Sequence, residues 1–188
     1  MSPLGAARAV ITAGGAVEGS LELIQTQSGS GVGQVDFTDI KEDEYNVHFL
    51  TITDFQIGTD GQPMGLRFSN GSFISSGYQW ALQIGQADGT TDEARSTSST
   101  YLELNRFNGD QSNEKANGYV YLYDLGDSTK YSFYTSQVTA TLEYSTRYGM
   151  EFGSGLHPTA ETISGIRLTT TSGNISATSV SLYGIKES

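Results

Sequence analysis

Few side chains in this 188-residue sequence are of kinds that make or break bonds. Cysteine is absent, which removes thiol nucleophiles, thiolate zinc sites, iron–sulfur clusters and disulfides. Histidine occurs twice. His48 is out of phase with Tyr45, Val47 and Phe49, so it is expected on the opposite face of their strand. His157 falls in Gly155-Leu156-His157-Pro158, read as a loop. Neither has a recognisable partner in sequence, and no Gly-x-Ser-x-Gly elbow occurs. The acidic group Asp36, Asp39, Glu42, Asp43 and Glu44 could offer oxygen ligands to calcium. Its spacing departs from the Asp-x-Asp-x-Asp-Gly loop that wraps one ion, so a solvated charged turn is the expectation. Asp88, Asp92, Glu93 and Asp110 could supply the acid and base of a glycosidase. That chemistry needs two carboxyl groups at a set separation, and carboxylates scattered over loops read as surface charge. The expectation is no enzyme, with no catalytic residue, cofactor site or metal site.

Aromatic chemistry is the stronger signal. Tyr119, Tyr121 and Tyr123 alternate, which puts three phenol rings on one face of a strand. Together with Trp80, Tyr131 and Phe133 they could form a stacking platform for sugar rings. Tyrosine also suits cores and subunit interfaces, where the ring buries area and the hydroxyl keeps a partner. Trp80, Tyr119, Tyr121 and Tyr123 are the candidate binding residues.

The elements that must position them are strands. Glycine numbers 23, aromatics reach 11%, and Ser with Thr supply about a quarter of the chain, a composition of short strands and tight turns. Tyr45, Val47, Phe49, Thr51, Thr53 and Phe55 recur with period two, as one face of a long strand. Further strands are read at Gly65–Phe68, Tyr78–Ile84, Tyr101–Leu104, Gly118–Tyr123, Tyr131–Tyr134, Ala140–Tyr144, Ile163–Thr170 and Ile175–Ile185. Asp88–Thr97 and Asn108–Asn113 read as loops, and Ser172-Gly173-Asn174 as a hairpin turn joining the last two strands. Eight or nine such strands, with no amphipathic helix, give an all-β antiparallel sandwich, jelly-roll-like in its strand count.

The first residues differ from the rest. No Tyr, Phe or Trp precedes Phe37, and Gln25–Gly33 is a polar Gly/Ser run. Residues 1–34 are therefore expected to form an anchoring arm that gains order from another protein, and residues 35–188 the sandwich. On that reading a chain without residues 1–33 stays folded. The competing reading lays the arm on its own domain as an edge strand through Leu21-Glu22-Leu23-Ile24. The first eight residues lack the basic-then-apolar layout of a secretory leader, and no apolar run approaches a membrane span. With a formal charge of −11, and 10 basic residues scattered singly, no nucleic-acid or membrane partner is expected.

The segments Ile163-Ser164-Gly165-Ile166-Arg167-Leu168, Ser172-Gly173-Asn174-Ile175-Ser176 and Val180-Ser181-Leu182-Tyr183-Gly184-Ile185-Lys186 resemble the ending of small β-sandwich virion proteins of tailed, marine-type bacteriophages. Asp36-Phe37, Tyr45–Leu50, Leu66-Arg67-Phe68 and Ser76-Gly77-Tyr78 are similar to the same group. The resemblance spans about Val35 to Lys186. It implies a virion structural protein on the exterior of the particle, with no catalytic residues to carry across. The expected role is an outer capsid decoration (cement) protein, homotrimeric or otherwise symmetric, whose arm binds the major capsid protein or other virion proteins. The alternative is a tail fibre or receptor-binding tip that recognises host glycans.

Overall fold

The computed structural model describes residues 20–141 and 148–186. Among them are twelve strands and no helix: β1 (Leu21–Gly29), β2 (Gln34–Thr38), β3 (Val47–Ile57), β4 (Gln62–Ser69), β5 (Tyr78–Gln86), β6 (Thr91–Ser99), β7 (Leu102–Asn108), β8 (Ala116–Tyr123), β9 (Ser132–Thr141), β10 (Tyr148–His157), β11 (Gly165–Thr170) and β12 (Ile175–Ile185). Two antiparallel sheets result, one ordered β1-β12-β3-β8-β9-β10-β5-β6 and the other β2-β11-β4-β7. Setting aside β5, β6, β9 and β10 leaves β1-β12-β3-β8 facing β2-β11-β4-β7. The chain alternates between the two sheets at both its ends, which is the strand order of a jelly roll. The four remaining strands extend the large sheet on one side only.

Alternation writes the core. On β3 the inward residues are His48, Leu50 and Ile52, all at most 1% exposed, while Val47, Phe49 and Thr51 face outward and are half-buried. Phe55 departs from the period-two expectation. One extra β3 residue opposes β8 between Ile52 and Phe55, and Asp54 there takes φ 54 with its N–H bonded to Asn117 Oδ1 at 3.0 Å. This bulge turns Phe55 and Ile57 into the core, where both are fully buried. Phe37, Leu66, Phe68, Ile166 and Leu168 meet them from the small sheet.

Four other expectations change. The polar stretch read as a loop at Asp88–Thr97 overlaps β6, an edge strand paired to β5. Glycine-rich β10, which no period-two signal announces, pairs with both β9 and β5 along its length. The last two strands are not a hairpin, because β11 lies between β2 and β4 while β12 lies between β1 and β3. Their turn is a corner from one sheet to the other, and Gly173 takes φ +72 there with Thr59 filling the place of a Cβ.

The arm is the fourth. Residues 1–19 lie outside the described residues, but residues 21–34 belong to the sandwich. Leu21 to Gly29 pair with Ile185 to Thr178, and Val32 bridges Ile175 in both backbone directions at 3.1 and 2.7 Å. The reason is backbone pairing: the edge of β12 needs a partner, and β1 supplies it while Ile24 packs against the core and Leu21, Leu23 and residues 26–28 stay exposed.

A chain beginning at Ser20 is therefore expected to melt within a few degrees of the full chain. One beginning at Gln34 loses β1 and bares the edge of β12. Its midpoint should fall by more than about 10 °C, or its cooperative transition should vanish. Circular dichroism melts of the two truncations decide this, and equal midpoints would remove β1 from the cooperative unit.

Candidate functional site

Cross-strand partners share a face, so the registers of the large sheet define its outer surface row by row. One row runs Leu23, Tyr183, Phe49, Tyr121, Thr135, Ser154. The next runs Leu21, Ile185, Val47, Tyr123, Phe133, Leu156. A third holds Ser181, Thr51, Tyr119, Gln137 and Phe152. The rings form a ladder. Tyr121 lies 4.8 Å from Phe49 and 6.4 Å from Tyr123, Tyr119 lies 6.0 Å from Phe49, and Tyr183 lies 6.2 Å from Phe49. Leu23, Leu21, Phe152 and Phe133 are 59, 45, 45 and 40% exposed. Shallow grooves run between these ridges, one of about 540 Å³ beside Tyr123, Phe133 and Leu156, another of about 390 Å³ beside Phe49, Tyr119 and Gln137.

The polar atoms of this face are turned back onto it. Tyr119 Oη donates to Gln137 Oε1 at 2.7 Å, and Tyr123 Oη shares a hydrogen bond with Thr135 Oγ1 at 3.2 Å. Thr26 pairs with Ser181, and Thr53 and Thr139 donate to neighbouring carbonyls. The surface presents aromatic rings, with the Tyr119 and Tyr123 hydroxyls engaged. Of the candidate binding residues, the structure brings Tyr119, Tyr121 and Tyr123 together and separates Trp80 from them. Trp80 is in register with Gly155, then Tyr134, then Leu122, all on the inner face, and it packs against the core. Tyr131 precedes β9 and Phe133 joins the ladder.

The two histidines have separate partners. His48 is fully buried with Nε2 2.8 Å from the Ile40 carbonyl oxygen, and burial holds its pKa below the usual value. His157 closes β10, not a loop, and its Nε2 lies 2.7 Å from Glu161 Oε1, whose other oxygen accepts from Asn70 Nδ2 at 2.7 Å. The acidic turn resolves into separate pairs: Asp36 takes a two-pronged contact from Arg167 at 2.7 Å each, and Lys41 lies between Asp39 and Glu44. Asp88 sits in the β5–β6 turn and Glu93 pairs with Arg95 on β6. Asp110 instead meets Asp60 and Glu114, all three with an oxygen within 4.8 Å of the others. These three half-buried carboxylates are of the kind that can hold a hard cation such as calcium. Burial, then Asp110 and Glu114, push Asp60 upward. Asp60 lies across a strand pair from the Asn108–Glu114 loop, a convergence that linear spacing hides.

A second buried group was not legible in sequence. Glu151, 1% exposed, projects from the inner face of β10 to the outer edge of β7, the last strand of the small sheet. Both its oxygens accept the Arg106 N–H at 3.0 Å, and Asn105 Nδ2 donates to one at 3.3 Å. Tyr134 Oη donates to the Glu103 carbonyl of the same edge at 2.6 Å. Burial pushes Glu151 up to about 7, with the buried Glu103 carboxylate adding to it and Arg106 opposing. Glu103 is also raised by burial. Because the folded value exceeds the ordinary 4.5, this contribution to stability is complete below about pH 4.5 and lost as pH rises through about 7. The difference is about 3 kcal/mol. His48 acts oppositely, losing its contribution as pH falls below its ordinary 6.5.

Thermal melts from pH 5 to pH 8.5 are expected to show a declining midpoint in the parent. Glu151→Gln, which keeps an acceptor for Arg106 N–H, is expected to flatten most of that decline. An unchanged slope in the variant would assign the effect elsewhere.

Comparisons with known protein families, with curated proteins and with solved structures give no match to this chain.

Proposed function

We propose that this chain is a structural protein of a tailed-bacteriophage particle, an outer capsid decoration protein that works as a homo-oligomer. The observation that carries the reading is the uncharged aromatic face of the large sheet. It is a broad, ring-rich surface on which the Tyr119 and Tyr123 hydroxyls are already bonded, suited to lasting protein contact and poorly suited to chemistry. The resemblance over Val35 to Lys186 supplies the setting, and the jelly roll is a scaffold compatible with it. Fold alone assigns no function.

In this reading the acidic remainder of the surface faces solvent, where like charge keeps neighbouring bodies apart. Attachment to the major capsid protein is given to residues 1–19, which precede β1 at the edge of the large sheet. Several such segments on one oligomer would raise binding by avidity, about 10²–10⁴-fold over a single one. The glycan-binding alternative draws less support from the geometry. A sugar site needs outward donors and acceptors for ring hydroxyls, whereas Tyr119 and Tyr123 direct theirs to Gln137 and Thr135, and Trp80 lies on the inner face.

Particles lacking the protein, mixed with the full chain or with a chain beginning at Ser20, test the assignment. The full chain is expected to co-sediment at a copy number rivalling the major capsid protein, and the truncation to stay in the supernatant while melting normally. Equal co-sedimentation would reject attachment through residues 1–19. A few copies per particle, with hits on a glycan array, would favour the tail adhesin.

A further inference from the structure

We propose that the outer face of the large sheet is a self-association surface, on which a second copy of this chain packs face to face about a two-fold axis. The inference rests on the homo-oligomer of that reading and names the face and symmetry of its contact.

Charge argues for a second copy. The chain carries −11, so most approaches of one copy to another are repulsive. On the outer face, from β1 across β12, β3, β8, β9 and β10 to β5, the paired residues include no Asp, Glu, Lys or Arg among the described residues. Charges lie at its margins: exposed Asp54 at the β3 bulge, Asp124 beside Tyr123 paired with Lys130 at 3.0 Å, and on β6 Glu93 paired with Arg95 at 2.7 Å. Two copies can therefore meet over these rows with little opposition of like charges. A strongly basic partner would find nothing on this face to pair with.

Size and shape agree. Seven strands, each about 4.8 Å wide, and three rows, each about 6.8 Å deep, cover roughly 34 by 20 Å. That is about 700 Å² per copy and about 1,400 Å² in all, at the low end for a specific stable interface. Packed sheets lie about 10 Å apart with side chains of one seated between those of the other. The aromatic ridge of Phe49, Tyr121 and Tyr123, with grooves on either side, offers that relief. Tyr119 and Tyr123 would carry their hydroxyl bonds into the interface unbroken, which spares their share of the desolvation cost. A two-fold axis sets the same patch on both copies, so self-complementarity needs no second surface.

Sedimentation velocity of the full chain from about 1 to 100 μM tests this, in low salt and in 0.5 M sodium chloride. A shift from the 20.1 kDa monomer towards twice that mass is expected, at lower concentration in high salt as the net charge is screened. Tyr121→Lys and Phe133→Lys, each outward-facing, should melt like the parent and weaken association at least tenfold. A monomer at every concentration, a trimer, or a dimer untouched by both lysine variants would overturn the inference. So would a monomer that instead floats with phosphatidylcholine vesicles. A monomer that still joins particles would refute this interface and the homo-oligomer, and would leave attachment through residues 1–19 standing.

Discussion

β12 has to satisfy two neighbours at once, pairing with β1 on one side and β3 on the other. The first strand and the last are thus parts of one ladder, closed only when nearly the whole chain has been gathered, a non-local arrangement of the kind that folds slowly. Its register is pinned at one corner. The Tyr45 ring lies on Gly184 in the space a Cβ would fill, so a one-residue slip would drive Tyr183 or Ile185 into the ring. The Tyr45 hydroxyl donates to Glu22 of β1 at 2.5 Å, and Lys186 pairs with the same carboxylate. Exposed ion pairs add little energy; here they tie the ends of β1, β3 and β12 to one geometry.

Once that register is set, every residue of the large sheet is committed to one of two faces. Antiparallel sheets commonly put polar residues on the face away from the core. The small sheet does so: Asp36 and Arg167 pair across β2 and β11, with the Arg167 guanidinium 3.7 Å from the Phe73 ring centre and Arg67 next in the row. The large sheet does so without charge: its outer rows set Leu, Tyr, Phe and Val among Ser, Thr and Gln, and that contrast distinguishes the two outer faces of one domain.

What was legible in sequence is what depends on local alternation. β3, β5, β8 and β12 carry period-two patterns strong enough to read, and they fixed the all-β class. β10 was hidden because Gly149, Gly153 and Gly155 leave no apolar series, although Gly153 and Gly155 exist to admit Leu82, Tyr134 and Trp80 on the inner face. β6 is polar because it is an edge, where charge discourages further pairing. The turn at Gly173 was recognised as a turn, but sheet membership on either side is non-local. The same limit applies to the site. Alternation within β8 grouped Tyr119, Tyr121 and Tyr123 correctly, while placing Trp80 with them required the phase of β5 relative to β8, which passes through two intervening strands. Glu151 gave no signal, since nothing local marks a buried carboxylate in a glycine-rich strand.

The extension β9-β10-β5-β6 ties these features together. A jelly roll closed as two four-stranded sheets would offer half this outer face, ending at the tyrosines of β8. Adding strands to one sheet alone leaves their inner side uncovered and leaves β7 with unpaired edge groups. Both problems meet at Glu151 and Tyr134, which reach from the inner side of the added strands to the amide of Arg106 and the carbonyl of Glu103. A carboxylate accepts that amide more strongly than a neutral group would, at the cost of burying charge beside Glu103. The enlarged face and the buried acid therefore have one structural cause: the extension that carries Phe133 and Phe152 outward stays docked through the same strands that carry Tyr134 and Glu151 inward.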